Sequence, residues 1–490
     1  MMTREDIIAE QRNQEWRDTL RKSMKAKERT DLPRVHMNEL DADYRSHNKE
    51  EVNQGLRKEQ ALQESKRCLD CVNPTCITGC PVEINIPGFI KNIERGEFLE
   101  AAKTLKMTSA LPAVCGRVCP QEKQCEAQCF YTLKLKKEAV AIGHLERFAA
   151  DYERESGQIS IPEIAPSNGK KIAVVGSGPS GLSFAGDMAK LGYIVVVFEA
   201  LHEIGGVLKY GIPEFRLPNQ IVDVEINNLE KMGVKFVKDC IIGKTITMDE
   251  LKEEGFEGVF VGSGAGLPNF MNIPGENLIN VLSSNEYLTR VNLMDAANPE
   301  ADTPVPFGKN VAIIGGGNTA MDSVRTAKRL GAERAMIVYR RSEEEMPARL
   351  EEVKHAKEEG IEFKTLHNPI EYFGDENGRV KQMRLQKMEL GEPDASGRRK
   401  PIAIPGATEL LDVDLVIVSV GVSPNPLVPS SVSGLDVSKK GTIVVNEKMQ
   451  SSIPTIFAGG DIVRGGATVI LAMGDGRKAA ASMHEYLNKK

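Results

Sequence analysis

Two long stretches of this chain alternate unbroken apolar runs with helical patterns. From Lys171 the sequence reads KIAVVGSGPSGLSFAGDMAKLGYIVVVFEA: an apolar strand, a glycine turn, a helical pattern and a second apolar strand. The same order recurs from Asn310 in NVAIIGGGNTAMDSVRTAKRLGAERAMIVYRR. Both are predicted βαβ units, and the helix of each ends near Leu-Gly. Their strands are apolar without alternation, which suits parallel sheets covered on both faces. The tail IPTIFAGGDIVRGGATVILAMGDGRKAAASMHEYL reads as strand, glycine turn and helix. The repeat is one of architecture, not of a short-period solenoid.

Ahead of these units the pattern is different. Residues 1 to about 67 are polar and charge-rich, and predict surface helices and a lead-in arm with a solvated face. A cysteine-dense segment, 68–129, follows, then a helical pattern in KKEAVAIGHLERFAADYERE. SGQISIPEIAPSNGK, ending at Lys170, reads as a linker.

Composition narrows the class. The 490 residues allow two to four domains. Hydrophobic residues make up 41% and charged residues 27%, as in soluble globular proteins. A net charge of −6 argues against nucleic acid or an anionic membrane as the main partner. The start, MMTREDIIAEQRNQEWRD, has no signal-peptide core, and no apolar run is long enough to span a membrane. A cytoplasmic, reducing compartment is therefore expected, which counts against structural disulfides. Eight of the nine cysteines lie between Cys68 and Cys129, and only Cys240 lies elsewhere.

The first glycine turn, Gly176, Gly178 and Gly181 with Pro179 and Ser180 between them, has the spacing of a dinucleotide fingerprint. Its glycines permit the tight turn, the approach of a pyrophosphate and close helix–strand packing. The helix N-terminus then faces the phosphates. Glu199, at the end of the second strand, is placed to accept a hydrogen bond from a ribose 2′-hydroxyl. In the second fingerprint, Gly315, Gly317, Asn318, Thr319 and Ala320, that strand ends in Arg340 and Arg341 instead. A guanidinium binds a 2′-phosphate that a carboxylate would repel, so this site is expected to prefer NADP(H) over NAD(H).

Two nucleotide sites suggest FAD beside the nicotinamide. The segment IGGVLKYGIPEFRLP (204–218), with Gly206 and Gly211, fits a flavin-contacting loop. Asp461, after Gly460, suits the ribityl or phosphate region, or serves only as a helix N-cap. The helix after Gly466 would aim its N-terminus at the pyrimidine edge of the ring and favour the reduced anion, with Thr468 a further candidate contact.

The cysteines are spaced Cys68-x2-Cys71-x4-Cys76-x3-Cys80-Pro81, then Cys115-x3-Cys119-Pro120-x4-Cys125-x3-Cys129. Eight thiols with two Cys-Pro steps match iron–sulfur ligation better than zinc. Two [4Fe–4S] clusters need about eight ligands, and spacing alone makes Cys115 one of them.

Several motifs together resemble the small (beta) subunit family of NADPH-dependent glutamate synthase. They are CVNPTCITGCPVEINIPGFI, VCGRVCPQEKQCEAQC, GHLERFA, VVGSGPSGL, GGVLKYGIPEFRLP, IGGGNTAMD, VYRRSEEEMPAR and IFAGGD, spread from about residue 60 to the C-terminus. The large subunit of NADH-dependent ferredoxin:NADP oxidoreductase, sulfide dehydrogenase and the N-terminal half of dihydropyrimidine dehydrogenase are similar too. The resemblance implies an α/β fold: a helical double [4Fe–4S] domain (1–165), then two Rossmann-like domains of glutathione-reductase type. The FAD domain would be discontinuous (166–300 and 431–490), with the NADP(H) domain at 301–430. It also implies a ligand set. Cys68, Cys71, Cys76 and Cys129 would hold one cluster; Cys80, Cys119, Cys125 and Glu146 would hold the other, with Cys115 a bystander. The run CVNPTCITGCPVEINIP resembles the stand-alone or ferredoxin-linked branch more closely.

The activity so implied is transfer of electrons from NADPH through FAD and both clusters to a partner subunit, for glutamate synthesis from glutamine and 2-oxoglutarate. The alternative is the ferredoxin:NADP oxidoreductase or sulfide dehydrogenase role, with ferredoxin or a ferredoxin-reductase-like chain as partner. A hetero- or homo-oligomer is expected in either case. No catalytic acid or base is needed, since the hydride passes between cofactors. Two intact fingerprints argue against a non-catalytic carrier. A disulfide reductase is excluded because the nucleotide domains contain only Cys240.

Overall fold

A computed structural model describes residues 4–489, apart from 299 and 396. The apolar runs become two five-stranded parallel sheets. The first is ordered Ile456–Ala458, Phe256–Val261, Lys171–Val175, Ile194–Phe198, Lys235–Val237. The second is ordered Val281–Ser283, Leu415–Val418, Asn310–Ile314, Arg334–Tyr339, Glu362–Thr365. In each, a fingerprint turn joins the central strand to a helix, Pro179–Lys190 or Asn318–Arg329. The C-terminal strand returns to the first sheet, so that unit is discontinuous. Val281–Ser283 already belongs to the second sheet, so the expected boundary at 300/301 falls inside the second unit. An antiparallel sheet of His367–Gly374, Val380–Pro393 and Arg399–Asp412 extends that unit.

The N-terminal part is helical, and residues 157–170 form the expected irregular connection. The expected solvated N-terminal face holds for most of its charged residues but not for a few of its arginines. Arg17, Arg29 and Arg45 are each only 2% exposed. Arg17 and Arg21 grip the buried carboxylate of Asp70, Arg21 at 2.7 Å, between Cys68 and Cys71. Arg45 reaches Glu358 at 2.5 Å and Glu359 at 3.1 Å on the second unit. A buried charge needs a partner, and these partners lie too far along the chain for local pattern to reveal them.

The core is divided unevenly. One apolar cluster runs from the cysteine module through the first βαβ unit into the helix Val469–Asn488. The second unit has separate cores of its own. The iron–sulfur and first nucleotide units are thus one packed body, and the second unit meets the N-terminal part largely through polar contacts.

Candidate functional site

At the first turn, a Cβ on Gly181 would lie 2.0 Å from the Gly176 carbonyl oxygen, so the close approach requires glycine. Glu199 accepts hydrogen bonds from Ser177 N (2.8 Å), Ser177 Oγ (2.6 Å) and Leu201 N (3.0 Å), which holds its carboxylate beside the turn. Gly206 packs against Gly178, and Ser177 Oγ accepts from Gly205 N at 2.9 Å; the 204–218 loop therefore lies on the fingerprint, with Gly211 one turn on. Tyr210 on this loop is pushed up to about 12 by burial, with the Asp461 and Glu199 carboxylates adding to the shift. Burial raises Asp461 to about 6. Asp461 opens a short helix after Gly460, and Thr468 caps the long helix that follows, accepting from Leu471 N. A Cβ on Gly476 of that helix would lie 2.3 Å from Ser180 O, so it packs directly on the first fingerprint helix.

Sequence reasoning missed Asp475. It is 2% exposed and accepts from Gly460 N (3.0 Å) and from Arg464 (2.7 Å), fixing the turn that presents Asp461. An acid inside an otherwise small and apolar helical run was the available signal.

At the second turn, Gly315 and Gly317 precede the helix that begins Asn318–Thr319. The two strand-end arginines differ. Arg340 is exposed. Arg341 is buried, and donates to Asp394 at 2.6 Å and to the Arg399 carbonyl at 2.8 Å. Arg341 thus ties the antiparallel hairpin to the strand end.

The cysteines separate into two groups. Cys68, Cys71, Cys76 and Cys129 line one cavity, together with Ile86, Ile90 and Phe130. Cys71 and Cys76 are half-buried, and neighbouring Val72 is 72% exposed, so this site opens to the surface. Cys80, Cys119 and Cys125 are buried around Glu146. Burial pushes the Cys68 and Cys80 thiols up to about 12, so a metal that takes them as thiolates must displace their protons. Glu146 is raised to about 8 by burial, and its Oε1 has no hydrogen-bond partner. A buried, unpartnered carboxylate oxygen beside three thiols fits a cluster ligand. Cys115 is buried in the same group, its thiol against Cys119 and near Glu146 and Cys80, and its sulfur also contacts Met473 Sδ at 3.4 Å on the Val469–Asn488 helix. Cys240 lies far away, in the core around the first sheet.

Glu225 sits behind this second group, accepts from Ala113 N at 2.8 Å and is pushed up to about 7 by burial. Its folded value exceeds its unfolded one, so Glu225's contribution to stability is fully present below about pH 4.5 and is lost as pH rises to about 7. At about 1.4 kcal/mol per pH unit, the loss is of order 3 kcal/mol. Glu225→Gln is expected to raise the unfolding midpoint at pH 8 and to change it little at pH 4; an equal change at both values in thermal melts would refute this.

Two nucleotide turns on twin parallel sheets, with a cysteine module packed on the first, define a pyridine-nucleotide flavoprotein with an iron–sulfur domain. Comparison with known proteins agrees. Residues 45–158 match the family described as dihydropyrimidine dehydrogenase domain II, 4Fe-4S cluster, and residues 170–476 match pyridine nucleotide-disulphide oxidoreductase. The chain is 36% identical to the glutamate synthase [NADPH] small chain of Escherichia coli (strain K12), over 89% of this chain and 93% of that one. It is 37% identical to the NADP(+)-dependent formate dehydrogenase subunit beta of Moorella thermoacetica, over 85% of this chain and 60% of that one. Mycobacterium tuberculosis FprA in complex with NADPH has the same fold over 66% of this chain and 85% of its own, with a TM-score of 0.56 at 22% identity. The chain belongs to the family of glutamate synthase small chains, and is an NADP(H)-dependent flavin oxidoreductase with 4Fe–4S chemistry. Among the described residues no helix is long and apolar enough to cross a membrane.

Proposed function

We propose that this chain passes electrons between NADP(H) and a partner redox subunit through FAD and two [4Fe–4S] clusters, as the small subunit of a glutamate synthase. The observation that carries this reading is the seam between the cysteine module and the Val469–Asn488 helix. Gln124 donates to Thr468 Oγ1 at 3.5 Å, Cys115 meets Met473, and a Cβ on Gly474 would lie 2.8 Å from Pro81 O. The Cys80/Cys119/Cys125/Glu146 set therefore abuts the helix whose N-terminus belongs to the flavin unit, while the Cys68/Cys71/Cys76/Cys129 set opens outward. The order of sites is that of a wire from the nucleotide to the surface.

Bound FAD would supply the conversion between a two-electron hydride and one-electron carriers. The chain's own part is positioning. Gly176–Gly181 and Glu199 would hold the adenosine half of FAD; Asp461 and Thr468 would hold its ribityl and ring end. The Gly315–Thr319 turn and Arg340 would hold NADP(H). The similarity to a formate dehydrogenase subunit supports a second reading, with a partner other than the glutamate synthase large chain.

The test is anaerobic purification with the co-purifying partner, then NADPH oxidation with glutamine plus 2-oxoglutarate and, separately, with ferredoxin plus NADH. Glutamate formation in the first assay is the expected result. Activity in the second assay alone would assign the chain to the ferredoxin-linked branch.

A further inference from the structure

The function described so far leaves part of the motif VYRRSEEEMPAR without a role. Pro347–Leu350 forms a strap between the two units. On one side it holds the nucleotide turn: Ala348 N donates to Gly316 O at 3.3 Å, and Arg349 N donates to Asn318 Oδ1 at 2.8 Å. On the other it holds the iron–sulfur domain. Lys123 Nζ donates to Pro347 O (3.0 Å) and Ala348 O (3.1 Å), and Leu350 N donates to Glu122 Oε1 (3.3 Å). The Arg349 guanidinium donates to Arg117 O at 2.8 Å and Gln121 Oε1 at 2.9 Å.

Those two acceptors flank Cys119 and Pro120. Gln121 is also wedged against the helix that carries Glu146: a Cβ on Gly143 would lie 2.2 Å from Gln121 Nε2. One side chain, 4% exposed, thus touches the loop that carries Cys119 and, through Gln121, the helix that carries Glu146. Its own backbone holds the first residue of the nucleotide-binding helix. Its ion-pair partners are Glu351 at 2.9 Å and Glu122 at 3.9 Å, and Glu352 and His144 also face it.

We propose that Arg349 is a positioning residue that couples occupancy of the NADP(H) turn to the reduction potential of the second cluster. The inference rests on the reading that Cys80, Cys119, Cys125 and Glu146 hold that cluster. The two units have separate cores, so the strap is a polar joint between bodies that are not packed into one. A pyrophosphate at the Asn318 helix N-terminus adds negative charge and, as an acceptor, competes with Gly316 O and Asn318 Oδ1 for the strap's backbone N–H groups. Added anionic charge, and any withdrawal of the guanidinium from the Cys119 loop, both disfavour an extra electron on the cluster. Nucleotide binding therefore makes the second cluster harder to reduce. By linkage, its reduction weakens nucleotide binding by the same factor, which would favour release of the nucleotide once its electrons have moved on.

The experiment is an EPR-monitored redox titration of the holoprotein with and without 2′-phospho-ADP-ribose. This probe has the phosphates of NADP but no nicotinamide to reduce. The second cluster's signal is identified as the one altered by Glu146→Cys. The native protein is expected to show about a tenfold weaker probe affinity in the reduced state, read as a downward shift of about 59 mV. In Arg349→Met the factor should fall below about twofold, while Arg349→Lys should keep part of it. Lys123→Met, which cuts the strap without touching Arg349, should also reduce it. A native protein with no shift, or an Arg349→Met protein with an unchanged shift, overturns the coupling. No signal responding to Glu146→Cys would overturn the ligand reading beneath it instead.

Discussion

Glu146→Ala is expected to leave the first cluster in place and abolish the second, so that iron falls from about eight to about four atoms per chain. Glu146 lies among Cys80, Cys119 and Cys125, buried, with one carboxylate oxygen unpaired. Removing it takes away the one ligand of that set that is not a thiol. Electron delivery from NADPH to the partner should be lost with the cluster. Hydride transfer to the flavin should survive, because no residue of the nucleotide turns is touched. Cys115→Ser is the necessary contrast. Its sulfur lies beside Cys119 and against Met473, and with Glu146 as the fourth ligand this variant should keep all its iron. Iron loss in Cys115→Ser with full iron in Glu146→Ala would reverse the assignment.

The second large effect concerns cofactor choice. Arg340→Ala should raise the Michaelis constant for NADPH about 10- to 100-fold, the loss of about 1.5–3 kcal/mol expected for a charge-assisted contact. The constant for NADH should barely move. Arg341→Ala should act differently, since its guanidinium is buried on Asp394 and the Arg399 carbonyl. It should lower the unfolding midpoint, with a smaller change in the NADPH constant. Equal kinetic effects of the two substitutions would show that both arginines reach the 2′-phosphate.

The two arginines also show how much of the site could be read in advance. Adjacent in sequence, they are indistinguishable by type and spacing. The structure separates them because successive residues at a strand end point in opposite directions, and only one direction meets the hairpin. The N-terminal arm taught the reverse lesson. Its charge pattern looked like a solvated surface, yet Arg17 and Arg21 close over Asp70, and Arg45 anchors the second unit. Asp475 escaped notice because its partner, Gly460 N, is defined only once the helix has folded back on the turn.

The sequence by itself determined the two βαβ units, both nucleotide turns, the acid at one strand end and arginine at the other, and the cysteine module. These features depend on local periodicity and on residue types at short fixed spacings, so neighbouring residues suffice to reveal them. The tertiary structure decided that Glu146 is buried among Cys80, Cys115, Cys119 and Cys125, apart from the cavity lined by Cys68, Cys71, Cys76 and Cys129, and that Arg349 straps the nucleotide turn to the Cys119 loop. Each of these depends on groups tens to hundreds of residues apart. Their meeting is set by which surfaces pack together, and no local pattern encodes that.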